Sequence, residues 1–190
     1  MREIVLASQS PRRQELIRLI TEDFQVMVPE FDESEVMTAG MPADKTVELL
    51  ALGKAKAAQD TFGTVPERVY IGGDTVVVSP EGEIMGKPRD REDAVRMLKT
   101  ISGRAHHVIT GVALVSGEKV RSFSVSTEVT FFELTDAQID AYVDSDEPYD
   151  KAGAYGIQVK GGLFVEKIHG DYTNVVGLPI AVLWRELEQF

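Results

Sequence analysis

His107-Val-Ile-Thr-Gly-Val-Ala-Leu-Val115, then Ser116-Gly-Glu-Lys119, then Val120-Arg-Ser-Phe-Ser-Val-Ser-Thr-Glu-Val-Thr-Phe-Phe132 is the stretch that decides the fold. Phe123, Val125, Thr127, Val129 and Phe131 occupy alternate positions, as a strand with one buried face requires, and the Gly-containing link suits a turn between two long antiparallel strands. Upstream the pattern is different. The apolar run 4–7 predicts a short buried strand, and Leu16, Ile17, Leu19 and Ile20 then repeat on one face of a helix. A second strand is expected over 24–28. A helix over 42–62 follows, with Val47, Leu50, Ala51, Ala55 and Ala58 as its core stripe. Residues 69–71 and 76–78 read as one strand interrupted by Gly72-Gly73-Asp74-Thr75, and 91–101 as a helix carrying Ala94, Met97, Leu98 and Ile101. After the ribbon, Thr135 suits the cap of a helix over 136–144. A Gly-rich loop, a strand over 163–168 and a last helix over 178–188 complete the chain. Early alternation followed by a late antiparallel ribbon favours an α/β, mixed-sheet domain over a bundle or a sandwich.

Composition bounds the chemistry. The 190 residues suit one domain, 1–190, and no Pro-, Gly- or Ser-rich linker divides them. Twenty Lys and Arg against thirty-one Asp and Glu give a net charge of −11, which argues against non-specific nucleic-acid binding, because that needs basic surface. No cysteine is present, which removes disulfides, thiolate zinc sites and a Cys nucleophile. Residues 1–7 carry Arg2 and Glu3 and make a poor secretion signal. The apolar run 178–184 is far shorter than the roughly 18 residues of a membrane span. A soluble, cytoplasmic protein with no membrane association is expected.

Familiar catalytic motifs are absent: no G-x-S-x-G, no H-E-x-x-H and no G-x-G-x-x-G. Gly82-Glu-Ile-Met-Gly86-Lys87-Pro88 falls short of P-loop spacing and has Pro88 where a metal-holding hydroxyl is needed. Ala7-Ser-Gln-Ser-Pro-Arg-Arg13 is more informative. Ser10 suits an N-cap and Pro11 a first helical residue, so Arg12 and Arg13 fall in the first turn, where the helix dipole disfavours cations. Arginines there, beside free backbone N–H groups and the hydroxyls of Ser8 and Ser10, suit a phosphate. The plainer alternative is a pair of solvated arginines. Asp74 among flanking glycines and the acidic segment Asp32-Glu33-Ser34-Glu35 offer oxygen ligands of the kind magnesium or manganese takes together with substrate phosphates. For 32–35 a solvated acidic loop is the competing reading. Glu147-Pro-Tyr-Asp-Lys-Ala-Gly-Ala-Tyr-Gly-Ile-Gln158 mixes charge, aromatics and small residues without a period, as functional loops do, and a tight structural turn is the alternative. Lys54, Lys87 and Lys151 could form a local positive site despite the acidic total. His106 and His107 near a strand start read as structural rather than catalytic. Tyr172 to Pro179 reads as a loop packed at the start of the last helix, with Thr173 or Asn174 capping.

Together and in this order, Ala7-Ser-Gln-Ser-Pro-Arg-Arg13, Gly73-Asp-Thr-Val76, Gly86-Lys-Pro88, Ser102-Gly-Arg104 with His106, Asp150-Lys-Ala-Gly-Ala-Tyr-Gly-Ile-Gln158, and Gly170-Asp-Tyr172 through Val176-Gly-Leu-Pro179 resemble the Maf family of nucleoside triphosphate pyrophosphatases. The resemblance covers essentially the whole chain. It implies an elongated, two-lobed α/β domain of the inosine-triphosphatase-like type with a central cleft. It also implies hydrolysis of a nucleoside triphosphate to monophosphate and pyrophosphate with a divalent metal: magnesium or manganese, with cobalt an option. By matching motifs, Asp74 would be the general base that activates a metal-assisted water, and Glu33 would join it in holding the metal. Ser8, Ser10, Arg13, Lys54 and Lys87 would face the triphosphate. Two residues depart from expectation: Gly73, where Ala or Ser usually precedes the aspartate, and Gly53, unusual inside a helix.

The subgroup is also legible by resemblance. Members similar to 7-methyl-GTP hydrolases carry Trp, Gln and Glu where this chain has Arg12, Thr75 and Gln158, so the chain looks like the dTTP/UTP subgroup. The chemistry agrees. Trp suits a cationic methylated base and Glu suits paired N–H donors, whereas the amide of Gln158 can answer the alternating acceptor and donor edge of thymine or uracil. The competing expectation is a nucleotide-sensing or septum-associated binding protein with vestigial catalysis. A homodimer stays open.

Overall fold

The computed structural model describes residues 2–33 and 40–190. Ser34 and Glu35, half of the acidic segment 32–35, lie outside the described residues. The strands are β1 (Glu3–Leu6), β2 (Phe24–Val26), β3 (Arg68–Val78), β4 (Ile84–Met85), β5 (Ala105–Ser116), β6 (Lys119–Phe131) and β7 (Val165–His169). The helices are α1 (Pro11–Ile17), α2 (Ala43–Phe62), α3 (Arg91–Ile101), α4 (Asp136–Val143), α5 (Tyr172–Val176) and α6 (Ile180–Gln189). One seven-stranded sheet runs β2-β1-β3-β5-β6-β7, with β4 paired to β3. β1 is parallel to both β2 and β3, whereas β4 pairs with β3, and β7 with β6, in antiparallel fashion. The sheet is therefore mixed, as the late ribbon requires. Among the described residues no helix is long and apolar enough to cross a membrane.

The chain divides into two compact units: residues 1–74, 110–125 and 177–190 in the first, 75–109 and 126–176 in the second. The first unit packs Val5, Ala7, Ala51, Ala55, Ala58, Tyr70, Ala113 and Val115 into a core dominated by small side chains. Two glycines explain how α2 lies so close to the sheet. A Cβ on Gly72 of β3 would sit 2.0 Å from the Ala51 carbonyl oxygen, and one on Gly111 of β5 would sit 2.3 Å from that of Val47. The core of the second unit is larger-grained, built from Met85, Met97, Leu98, Ile101, Phe131, Tyr142, Tyr155 and Phe164 among others. There α4 begins with a capping box: Thr135 accepts from the Gln138 backbone while the Gln138 side chain returns to Thr135.

Several elements differ from the expected ones, each for a local reason. The first helix stops at Ile17. Leu19 and Ile20 instead form i→i−3 turns to Leu16 and Ile17, which rotates Leu19 outward to 71% exposure. Residues 72–75 do not interrupt a strand. β3 runs unbroken from Arg68 to Val78, because the glycines there remove side chains rather than turn the backbone. A 3-10 turn over Lys160–Phe164, closed by Gly162 N–H to the Val159 carbonyl, delays the seventh strand to Val165. The loop expected before the last helix contains α5. Asp171, rather than Thr173 or Asn174, holds its start, accepting from the Thr173 backbone and hydroxyl at 2.7 Å each. Asn174 is instead fully buried, donating to the Val108 carbonyl and Thr127 Oγ1.

Candidate functional site

In the first unit, the register of β1 on β3 pairs Leu6 with Ile71, and Ala7 N–H adds one more bond to the Ile71 carbonyl. Beyond that point the strands part. β1 turns through Ser8 into α1, while β3 continues through Gly72 and Gly73 to Asp74. Residues after β1 and at the far end of this parallel pair thus meet, at the carboxyl ends where open α/β sheets carry their sites. Ser8 is buried, and its Oγ accepts from Arg13 Nη1 and from the Ser10 backbone at 3.3 Å each. Ser10 caps α1, its hydroxyl accepting from the Arg13 backbone. Arg13 Nε donates to the Gly177 carbonyl at 2.8 Å. Burial holds the Arg13 guanidinium below its ordinary value, against the pull of Asp74, and Arg12 pushes in the same direction as burial. A guanidinium stays protonated regardless, so Arg13 is a partly desolvated cation whose environment favours an added anion.

Gly73 has its own reason here. Successive strand residues face opposite sides, so Gly72 and Asp74 face α2 while Gly73 faces away. A Cβ on Gly73 would lie 3.2 Å from Arg13 Nε, so its absence gives the guanidinium room. On the other side, the close seat of α2 on Gly72 brings Lys54 to Asp74. Lys54 Nζ lies 2.6 Å from Asp74 Oδ1 and 2.7 Å from Glu33 Oε1. Asp74 and Lys54 are largely shielded, with side chains 15% and 18% exposed, whereas Glu33 is 51% exposed.

Two carboxylates converging on one ammonium can also converge on a hard divalent cation. Magnesium commonly takes one or two carboxylates and completes its shell with phosphate oxygens and water. Among the described residues no group of three or more His, Asp or Glu is placed to hold a metal. Glu33 and Asp74 are the two carboxylates that meet at Lys54, the number that magnesium can share with a phosphorylated ligand.

Arg12, Thr75, Lys87 and Gln158 complete the predicted set. Arg12 is half-buried at the second position of α1. Thr75 opens the second unit, half-buried within β3. Lys87 is exposed just after β4, and Gln158 is exposed between the turns Ala152–Ala154 and Lys160–Phe164. The second unit does tie two of its segments together: Gly153 N–H donates to the Gly86 carbonyl at 3.0 Å, setting the 150–158 loop beside the residue before Lys87. Gly153 has φ of 66°, and a Cβ there would sit 2.7 Å from Val77 Cγ2, so both conformation and space demand glycine. Lys151 Nζ is engaged by the Glu147 carbonyl and Asp150.

His106 is structural. It is fully buried, stacked edge-on against Phe131 and Tyr155, with Nε2 2.8 Å from the Tyr155 hydroxyl. Burial pushes it down to about 4 and pushes the Tyr155 phenol up. Sequence reasoning missed the Gly177 carbonyl as an Arg13 partner and Gly72 as the seat of α2. The run Val176-Gly-Leu-Pro179 and the paired glycines of β3 were the available signals.

The chain matches known proteins over nearly its whole length. The family described as Maf-like protein matches residues 3–190. A protein of Bacillus cytotoxicus named dTTP/UTP pyrophosphatase is 50% identical over 190 residues, covering 100% of this chain and 96% of that protein. Bacillus cereus and Bacillus anthracis proteins of the same name are 49% and 48% identical at the same coverage. Among solved structures, the Ham1 protein of Staphylococcus aureus aligns with a TM-score of 0.53 at 18% identity, over 99% of each chain. A HAM1 protein from Coxiella burnetii gives 0.50 at 15% identity over 100% of each chain. At these identities the likeness shows a shared fold.

Proposed function

Because the chain belongs to the Maf-like protein family, we propose that it hydrolyses dTTP and UTP, with residues 1–190 as one catalytic domain. The observation that carries this reading is the 50% identity, over the whole chain, to a relative named for that activity. Water adds at the α-phosphorus and the α–β anhydride breaks, so the products are the nucleoside monophosphate and pyrophosphate. Asp74 is the general base, taking the water proton on its carboxylate. Its shielding and its contact with Lys54 support the role, since a base must be held in one place to be efficient. Arg13, Lys54 and Lys87 carry positive charge for the phosphates, and Ser8 and Ser10 beside them orient Arg13. Magnesium, manganese or cobalt, held by Glu33 and Asp74, would neutralise charge on the triphosphate. A cytoplasmic location, where nucleoside triphosphates are abundant, goes with this reading.

Release of pyrophosphate from dTTP by the purified protein is the test. No release with magnesium, manganese or cobalt overturns the reading, and tight dTTP binding without turnover would favour a nucleotide sensor. Base choice is assigned to Arg12, Thr75 and Gln158. Gln158→Glu removes the donor that a base carbonyl needs, and once a bound base covers this exposed residue from water the unpaired polar group costs about 1–3 kcal/mol, or roughly 5- to 150-fold in kcat/KM. Arg12→Trp, Thr75→Gln and Gln158→Glu combined should move the kcat/KM ratio from dTTP toward 7-methyl-GTP. An unchanged ratio places specificity elsewhere.

A further inference from the structure

Glycine inside a twenty-residue helix needs a reason, since it weakens the helix relative to alanine. Gly53 of α2 has one. A Cβ built there would lie 2.2 Å from Cζ and 2.5 Å from Cε2 of Phe31, so the tip of the phenyl ring rests on the bare helix backbone. The neighbouring residues make a second contact in parallel. Glu33, two residues after Phe31, meets Lys54, the residue after Gly53, at 2.7 Å.

We propose that Phe31 and Gly53 form a positioning pair that sets the Glu33 carboxylate against Lys54 and hence beside Asp74. The ion pair cannot do this unaided. The Glu33 side chain is 51% exposed, and pairs open to water hold their partners weakly. An apolar ring seated on a rigid helix needs no directional bond and is not screened by salt. Phe31 and Gly53 act through Glu33, whose role rests on the proposed pyrophosphatase reading. Every residue of the device belongs to the first unit.

The test is a double-mutant cycle of Phe31→Val and Gly53→Ala in the full-length protein, read by activity and by thermal melting. Gly53→Ala fills the seat and expels the ring, so kcat for dTTP should fall by roughly tenfold while KM changes little, as expected for a misplaced catalytic group. Phe31→Val should do the same by losing the ring. Together, the smaller side chain and the filled seat should fit again and recover most of kcat. In melting, Phe31→Val should lower Tm clearly when residue 53 is Gly and hardly at all when it is Ala. Wild-type kcat in Gly53→Ala, a double variant no better than the singles, or a loss confined to KM would overturn the positioning role. Additive Tm changes would overturn the contact itself. Absence of pyrophosphate release from the wild type would overturn the activity reading instead, leaving the melting cycle to decide whether the pair exists.

Discussion

In the first unit Lys54, Glu33 and Asp74 stand in contact, Lys54 and Asp74 largely shielded and Glu33 open to water. In the second, His106 is fully buried against Phe131 and Tyr155, with neutral partners in the tyrosine hydroxyl and the Arg104 backbone. The difference lies in what the surrounding residues can offer. Small side chains and glycines in the first unit let a helix approach closely enough for an ammonium to meet carboxylates. In the second, burial among large aromatics disfavours the charged imidazole, and neighbouring His107 pushes the same way. Charge is therefore kept where chemistry is proposed and suppressed where packing dominates.

The largest effect should come from removing the charged member that has no substitute. Asp74→Asn keeps the shape and an oxygen for Lys54 but loses basicity, so turnover of dTTP should drop at least the roughly 10²–10⁴-fold typical of a lost acid–base group. Circular dichroism and Tm should stay close to wild type. Near-normal kcat would remove Asp74 as the base, and Glu33 would be the next candidate. On the other side of the comparison, the neutral His106 makes stability depend on pH. Its folded value lies near 4, below the ordinary 6.5, so the unfolded chain takes up a proton first as pH falls. That stability is fully present above about pH 6.5 and is lost progressively toward pH 4, amounting to about 3 kcal/mol. His106→Gln should flatten this part of the Tm-against-pH curve. Equal slopes in wild type and variant would mean that the imidazole is not buried neutral.

Two glycines sharpen the same contrast within the first unit. Gly72→Ala drives a methyl into the Ala51 carbonyl, a rigid helix atom, so α2 must move away and Lys54 with it. A loss of about 1–3 kcal/mol in denaturant unfolding, together with reduced activity, is expected. Gly73→Ala comes nearest to the Arg13 side chain, at 3.2 Å, which can give way by a few tenths of an ångström. Its stability should stay within about 0.5 kcal/mol of wild type, with at most a small rise in KM. If Gly73→Ala proved the more damaging of the two, the tight seat of α2 would not be what holds the site.

Much of the fold was legible because burial imposes periods. The stripe of α2, the apolar positions of α3 and the alternation ending in Thr127, Val129 and Phe131 all appear where spacing put them. Element ends were less legible, since they depend on single hydrogen bonds. The i→i−3 turns that expose Leu19 and the Asp171 carboxylate that starts α5 leave no periodic trace. Of the candidate site, Ser8, Arg13, Glu33, Lys54 and Asp74 were named from residue type and family resemblance, and the structure places them together in one unit. Their partners were not legible. Nothing in the spacing of Arg13 and Gly177 announces a contact across that length of chain.

Residue types and their order determined by themselves that this is a mixed α/β protein of the Maf-like kind, without thiols. Those properties are local or compositional, and each residue carries its share wherever the chain goes. Tertiary structure alone decided which charge meets which, and why particular glycines are needed. Asp74 was expected at a break and lies inside a strand, because Gly72 serves helix packing rather than a turn. Gly53, an oddity on helix propensity alone, acquires its reason only when the ring of Phe31 is set upon it. Contacts between residues distant in sequence depend on the approach of backbones to within an ångström or two, and that distance is a property of the packed molecule.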